Sequence, residues 1–414
     1  MKIVNFGSCN VDYVYSLDSI VIPGETKASE FLEVFPGGKG LNQSIAAAKA
    51  GADVCHVGLI GEDGSFLRDV LTDGGVDTSY LDEVGVRSGH AIIQVSKNGQ
   101  NSIILYAGAN HALTEEKIDS VIRSLSGDDI VMLQNETNLV DHIIDKAYEA
   151  GLRIVFNPAP FSENLCSIDC DKITYLILNE VEIQGLGGKD SVEDALCYLS
   201  SKYKKTNIIL TLGGDGCAYI ENGEVRRSAA YDVTAVDTTA AGDTFIGYFV
   251  AEISRGGEVS ESVSIAQAAA ALSVTKMGAS VSIPSREQVI EAMVTLKQKV
   301  QNDNTSEIKE RIDRYIEENL ADATLASLAE SLSYSTSYVS RKIRDMYGES
   351  FTDHIKNMRC DKAAELLSKG DLSVEEVMSV IGYENSGFFT KIFRERFGVA
   401  PHKYKTMKKG KSNG

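Results

Sequence analysis

The sequence predicts an α/β protein built on a mainly parallel sheet wrapped by helices, followed by an all-α domain with two helix-turn-helix units. Three observations predict it. Short apolar runs alternate with helix-period segments over the first 300 residues, the pattern of parallel strands joined by crossover helices. Residues 301–305 are polar and non-periodic and read as a linker. Beyond them, two similar passages each read as a short helix, a turn and a second helix.

Taken in order, residues 3–6 form an apolar strand that runs into Gly7-Ser8-Cys9-Asn10-Val11-Asp12. Residues 13–22 and 29–34 alternate and read as strands with one exposed face. Residues 42–50 make a small-residue helix ended by Gly51, and a strand at 53–59 and a helix at 66–71 continue the rhythm. Two strands, 91–96 and 103–106, flank Lys97-Asn98-Gly99-Gln100, whose Asn-Gly pair signals a tight hairpin. Strands at 130–133, 154–156, 175–178 and 208–212 then alternate with helices at 140–149 and 192–200, which places ligands at the C-terminal strand ends. An alternating run, 231–236, reads as a strand handing over to a helix at 244–253. An alanine-rich helix follows at 266–275, and Ser285 caps a last helix that extends to about residue 300.

The chain has 414 residues, 43% hydrophobic and 24% charged, a globular composition with room for two or three domains. No apolar run reaches the roughly 18–20 residues of a membrane span, and the first residues read as a strand rather than a signal peptide. Seven cysteines, an odd number widely scattered, suggest reduced thiols in a cytoplasm; Cys166 and Cys170 lack a second pair that would complete a zinc site. Residues 306–414 carry 18 Lys and Arg against 17 Asp and Glu, a net +1, so residues 1–305 hold −19 of the total −18. An acidic body joined to a near-neutral part with a basic tail (406–414) suggests two modules with different partners.

The chemistry centres on Asp237-Thr238-Thr239-Ala240-Ala241-Gly242-Asp243-Thr244-Phe245. Small residues stand where a helix begins, and the free N–H groups there suit an anion, with Ala240, Ala241 and Gly242 permitting close approach. A carboxylate is a poor phosphate ligand, so the plausible task of Asp243 is to take a proton from an attacking hydroxyl.

This stretch resembles the C-terminal signature of the ribokinase/PfkB sugar-kinase family, and Pro36-Gly37-Gly38-Lys39-Gly40-Leu41-Asn42-Gln43 resembles its N-terminal one, about 200 residues earlier. The resemblance implies a ribokinase-like fold in which the early hairpin strands form a β-lid over the sugar. It implies a sugar pocket of Asn10, Asp12, Gly38, Lys39, Gly40, Asn42 and Glu136, in addition to Asp243. It implies an ATP site from Asn179, Thr211, Gly213, Gly214, Gly216, Gly242 and Gln267; Asn179 and Glu182 match the N-x-x-E motif that serves Mg²⁺ through water. Asp237, Thr239, Ser273, Lys276, Gly278 and Ser282 align with the K⁺ site. No G-K-[ST] follows the Gly213-Gly214 loop, so it is not a Walker loop. The chain departs from the usual pattern at Ile246, where ribokinases commonly carry Asn, and at Tyr248, where they carry a small residue. A homodimer is also expected from the resemblance.

In the last part, Leu325, Leu328, Ala329 and Leu332, a Ser333-Tyr334-Ser335 turn, then Val339, Ile343 and Met346 make one unit. Val374, Val377, Met378 and Ile381, a turn through Gly382, then Phe389, Ile392 and Phe393 make the other. Ile381-Gly382-Tyr383, Phe388-Phe389-Thr390-Lys391 and Phe397-Gly398-Val399-Ala400-Pro401 resemble the AraC/XylS-type regulator domain, placed at 306–405. The second helix of each unit would enter a major groove of double-stranded DNA, offering Ser337, Ser340, Arg341 and Arg344 or Ser386, Lys391 and Arg394. The expectation is a cytoplasmic ATP-dependent kinase of a pentose or similar sugar, with Mg²⁺ and K⁺, no membrane partner, and a role in transcription. The rival is a sugar-responsive regulator whose kinase fold is only a sensor; Asp243, Gly242, Asn179 and Glu182 favour the enzyme.

Overall fold

The computed structural model describes residues 1–97, 100–189, 192–221, 224–298, 305–332, 336–369, 372–383 and 385–409. The predicted hairpin tip at Asn98-Gly99, most of the 301–305 linker, the Ser333-Tyr334-Ser335 turn and the end of the basic tail lie outside them. The chain divides into two compact units, Met1–Lys299 and Val300–Gly414.

The first unit opens with β1 (Ile3–Phe6), β2 (Asn10–Leu17), β3 (Phe31–Gly37), α1 (Lys39–Lys49), β4 (Val54–Gly61), α2 (Ser65–Asp73) and β5 (Asp77–Val84). It continues through β6 (Gly89–Ser96), β7 (Asn101–Tyr106), α3 (Glu115–Arg123), β8 (Ile130–Gln134), α4 (Val140–Glu149), β9 (Arg153–Asn157) and β10 (Tyr175–Leu178). It closes with α5 (Glu180–Gly187), α6 (Val192–Lys202), β11 (Asn207–Thr211), β12 (Cys217–Glu221), β13 (Glu224–Ser228), α7 (Ala241–Ser254), α8 (Val259–Ser273) and α9 (Arg286–Met293).

Nine strands form one sheet in the order β13-β12-β11-β10-β9-β8-β1-β4-β5. The pairings from β5 across to β11 are parallel, and β12 and β13 add an antiparallel edge. Successive residues of a strand point to opposite faces, so the apolar runs feed two cores. Ile3, Ile130, Met132, Val155, Ile177 and Ile209 pack with α1, α7 and α8. Val4, Phe6, Val131, Leu133, Phe156 and Leu178 pack with α3, α4, α5 and α6. Strand order reverses at β1 and β8, which opens a crevice beyond their C-terminal ends. The smaller sheet, β3-β2-β6-β7, pairs β2 with β6 in parallel and leaves apolar side chains of β3 and β7 exposed.

Three expectations need correction. Residues 231–236 are not a strand: Tyr231 makes one isolated bridge to Gln298, and Val236 N donates to the Val274 carbonyl instead. The hairpin of β12 and β13 takes the sheet edge, so this run has no strand to pair with. Its sequence signal is the dipeptide Asn222-Gly223, the same pair that separates the runs at 91–96 and 103–106. The last helix ends at Met293 rather than near residue 300, although Ser285 does cap it, in a capping box with Gln288. Helices α7 and α8 begin earlier than their apolar periodicity implies, at Ala241 and Val259, and β5 was not anticipated because its face is half-exposed.

The second unit contains α10 (Thr305–Asn319), α11 (Leu325–Leu332), α12 (Thr336–Tyr347), α13 (Phe351–Lys369), α14 (Val374–Val380), α15 (Ser386–Phe397) and α16 (Pro401–Lys409). Its two small cores share α13: Phe351 and Ile355 join α10, α11 and α12, whereas Cys360, Ala363 and Leu367 join α14, α15 and α16. One junction ties the halves together. Arg359 of α13 donates to the carbonyls of Leu320 (2.8 Å) and Ala321 (2.7 Å), and its guanidinium lies over the Tyr383 ring. Gly382 has φ of 79°, and a Cβ there would stand 2.2 Å from the Ala321 carbonyl oxygen. Gly382→Ala should therefore destabilise the second unit by at least about 1–2 kcal/mol. Calorimetry of the full chain should show its transition lowered, with that of the first unit unmoved.

Candidate active site

The crevice at the strand-order reversal holds most of the residues picked out above. Helix α7 begins without a side-chain cap, from Ala240 in the left-handed region (φ 59°). Its first helical hydrogen bond runs from Thr244 N to the Ala240 carbonyl, so the N–H groups of Gly242 and Asp243 precede the helical ladder. A Cβ at Gly242 would meet open space. These groups border a cavity of about 610 Å³, whose walls include Lys39, Asn179, Glu182, Gly213, Gly214 and Gly216. Thr211, Gln267, Ala240, Ala241, Gly242 and Asp243 face the same space. Gln267 is anchored there, donating to the Ser228 carbonyl at 3.1 Å and accepting from its hydroxyl at 2.6 Å.

Asp243 is buried, and neutral amides hold its carboxylate: Asn42 Nδ2 donates to Oδ2 at 3.2 Å, and Gln43 Nε2 to Oδ1 at 3.0 Å. The Lys39 ammonium lies in the field of Asp243, which together with Glu136 and Glu182 raises its pKa against the cost of burial. Burial pushes the Glu136 and Glu182 carboxyls up, with Lys39 opposing in each.

The predicted sugar residues gather about the N-terminus of α1. Gly38, with φ of 99°, is the N-cap; Lys39 N donates to Glu136 Oε2 at 3.0 Å, and Gly40 N to the Ser8 hydroxyl. Ser8 in turn donates to Glu136. Gly40 is packed against Gly7 and Ser8, so its contribution is close backbone approach. Asn10 accepts from Asn110 Nδ2 at 2.7 Å. Asp12, on the smaller sheet, has its carboxyl pushed up to about 7, by burial first and then by the charge of Glu136. Asn10, Asp12, Asn42 and Glu136 are not walls of the 610 Å³ cavity, which meets their cluster at Lys39 and Asp243.

The N-x-x-E pair turns out to be a capping box. Asn179 accepts from the N–H groups of Val181 and Glu182, while Glu182 accepts from Asn179 N at 2.9 Å. The box fixes a carboxylate in the cavity wall, so the oxygens of Asn179 and Glu182 suit a magnesium ion bound through its water shell. Among the described residues no cluster of three His, Cys, Asp or Glu side chains could ligate a metal directly. Asp237 accepts from Thr239 N (2.9 Å), from the Thr239 hydroxyl (2.6 Å) and from Gly278 N (2.9 Å). Burial works against its ionisation, but these bonds hold its pKa below the usual carboxylate range. It thereby joins the two segments proposed for K⁺, and their backbone carbonyls and anionic anchor suit a monovalent cation. Ser273 and Ser282, both buried, donate to the carbonyls of Ala270 and Ala279.

Both departures from the resembled signature have a packing role. Ile246 is buried and lines the cavity, and the Tyr248 hydroxyl donates to the Pro284 carbonyl at 2.7 Å. Sequence reasoning gave no role to Asn157, which lines the cavity, to Asn110, which donates to Asn10, or to Gln43, Gln134 and His56, which are buried beneath the crevice. The available signal was a polar residue closing an apolar run, as Gln134 closes residues 130–133 and Asn157 closes residues 154–156.

In the second unit, α12 and α15 are the second helices of the two helix-turn-helix units. Arg344, Lys391, Arg394 and Ser386 are exposed, and Ser340 is half-buried. The side chains of Ser337 and Arg341 lie outside the described ones. Arg396 is held by Asp361 in a two-bond ion pair.

The fold is that of a ribokinase-like α/β protein, joined to a helical region with a helix-turn-helix domain. Residues 1–286 match the pfkB family of carbohydrate kinases, and residues 328–407 match a helix-turn-helix domain of the AraC type. The chain belongs to the pfkB carbohydrate kinase family. It is 36% identical over 298 residues to a ribokinase from Haemophilus influenzae, a match covering 69% of this chain and 96% of the relative. It is 34% identical over 298 residues to a deoxyribokinase from Salmonella typhi, covering 70% and 97%. The structure of Arabidopsis thaliana ribokinase complexed with ribose and ATP is similar at a TM-score of 0.62 and 30% identity, covering 70% of this chain and 97% of that one. Among the described residues no helix is long and apolar enough to cross a membrane.

Asp12 gives a pH test. A carboxyl with a folded pKa of about 7, against roughly 3.9 unfolded, binds its proton more tightly when folded. Stability is then lost as pH rises from about 4 to 7, and the penalty is complete above that window. Asp12→Asn should raise the melting temperature of the first unit at pH 8, and the gain should shrink at pH 5; thermal unfolding at the two pH values measures it.

Proposed function

We propose that the first unit transfers a phosphoryl group from ATP to a hydroxyl of ribose or a similar pentose, and that the second unit binds operator DNA, making the chain both enzyme and transcriptional regulator. The observation that carries the enzymatic reading is Asp243: a buried carboxylate, held by two amides, in the first turn of an uncapped helix. Asn10, Asp12, Asn42, Gly38 and Glu136 supply the donors and acceptors that adjacent sugar hydroxyls require, and Gly40 the close approach. Asp243 takes the proton from the attacking hydroxyl as the hydroxyl oxygen bonds to the γ-phosphorus and the bond to the β-phosphate oxygen breaks to release ADP; the N–H groups of Gly242 and Asp243 receive the negative charge on the transferring group, whereas Ala241 N donates to the Thr238 carbonyl. Lys39 balances charge at the junction of the two pockets.

ATP, bound along Asn179, Thr211, Gly213, Gly214, Gly216 and Gln267, supplies the phosphoryl group. Asn179 and Glu182 would hold Mg²⁺ through water. Asp237, Thr239, Ser273, Lys276, Gly278 and Ser282 would surround K⁺. The Arabidopsis thaliana relative's complex with ribose and ATP supports the substrate class, and the deoxyribokinase relative supports including deoxypentoses in any screen. The exposed apolar side chains of the lid, among them Phe31, Leu32, Val34, Ile103, Ile104 and Leu105, favour a homodimer.

Asp243→Asn, which keeps the side-chain shape, should lower kcat by roughly 10²–10⁴-fold, far more than it changes sugar affinity, read by steady-state kinetics and calorimetry. Near wild-type turnover would remove Asp243 from this role.

Lys391 and Arg394 are exposed on α15, so Lys391→Ala and Arg394→Ala should weaken operator binding. A base-reading contact would cost about 1–3 kcal/mol and relax specificity, whereas a phosphate contact would lower all affinities and reduce the salt slope by about one. Fluorescence anisotropy across a salt series separates the two.

A further inference from the structure

A chain of buried amides runs beneath the crevice, and its polarity is set by two backbone carbonyls. A carbonyl can only accept, so Asn5 must turn Nδ2 to the Gly40 carbonyl, at 2.8 Å. Its Oδ1 then faces Gln134, whose Nε2 donates to it at 3.0 Å. The same Nε2 donates to Gln43 Oε1 at 2.7 Å, which leaves the Gln43 amide nitrogen directed at Asp243 Oδ1, 3.0 Å away. The second anchor lies on the other side. Asn157 Nδ2 donates to the Ile177 carbonyl at 2.9 Å, so its Oδ1 faces Gln43 Nε2 at 3.4 Å and again requires a nitrogen there. Asn5, Gln43 and Gln134 are all at most 1% exposed, so bulk solvent does not reach a reversed amide.

We propose that Gln134 and Gln43 are positioning residues for Asp243: Gln134 fixes which end of the Gln43 amide meets the carboxylate, and Gln43 then aims that carboxylate. The inference rests on the reading of Asp243 as the base. A buried amide suits this task, because its own direction is fixed by its other partners. The other charged groups facing Asp243 are Lys39 on α1, Glu136 beyond β8 and Glu182 on α5. His56, on β4, joins the far side of the network through Ser44 and Asn5, and burial keeps it neutral by lowering its pKa to about 4. Reversing the Gln43 amide would put its oxygen against the carboxylate, and removing it would leave one donor fewer.

The test is kcat and KM of the full chain with ATP and its sugar. Gln43→Leu and Gln134→Leu should each lower kcat by roughly 10–100-fold, the loss of one hydrogen bond to a charged acceptor. KM for the sugar should change by less than about twofold, since neither side chain is among the proposed sugar ligands. If Gln134 acts through Gln43, the double variant should lose no more than Gln43→Leu alone, a non-additivity that independent packing defects would not give. Gln134→Met keeps the side-chain length without its donors should the leucine variants fold poorly, and kcat should again fall at unchanged KM. Wild-type kcat in these variants, a loss carried by KM instead, or additive losses in the double variant would overturn the positioning role while leaving the base intact. A wild-type chain that phosphorylates no sugar would remove the base itself, and the proposal with it.

Discussion

The feature on which the first unit depends is the reversal of strand order between β1 and β8. Adjacent parallel strands whose crossovers leave in opposite directions open a crevice that no helix covers. The segments beyond β1 and β8, with Ser8 and Glu136, close on the N-terminus of α1 there, and α7 brings its own N-terminus to the same place. Two helix starts with unpaired N–H groups thus converge. The first is satisfied internally by Glu136 and Ser8. The second, lacking a side-chain cap, keeps its donors for an incoming anion.

Charge around the crevice is arranged about the Lys39 ammonium, except at Asp12, where burial and the charge of Glu136 both oppose ionisation. Asp243, Glu136 and Glu182 surround the single ammonium of Lys39, and each is also tied by neutral donors. Burial raises the cost of ionising Glu136 and Glu182, and Lys39 offsets part of it in both. The polar interior beneath, from Gln134 through Asn5 and Ser44 to His56 and Cys9, lies in an otherwise apolar layer. Its bonds join four separate elements to the geometry of the crevice, and one member, the Gln134 Oε1 atom, is buried without a partner among the described residues.

The second unit answers a different constraint. Each helix-turn-helix half is too small to bury much apolar surface alone, and α13 solves this by contributing one end to each core. Arg359 and Gly382 then close the remaining gap between the halves through the Leu320 and Ala321 carbonyls.

By itself the sequence determined the layered α/β class, the parallel strands at 130–133, 154–156 and 175–178, the helix at 140–149 and both helix-turn-helix units, because each rests on local periodicity. The two glycine-rich stretches were also legible, since close backbone approach permits few residue types. Tertiary structure alone decided that residues 231–236 would not be a strand: their alternation suits one, but β12 and β13 already fill the edge. It also decided that Asn179 and Glu182 form a capping box, which their spacing allowed but did not require. The partners of Asp243 could not be read ahead, because Asn42 and Gln43 lie about 200 residues away and Gln134 acts through a second amide. Amide side chains carry no sequence periodicity of their own. Which end of Gln43 faces the carboxylate follows from the carbonyls of Gly40 and Ile177, and only the folded chain brings those within reach.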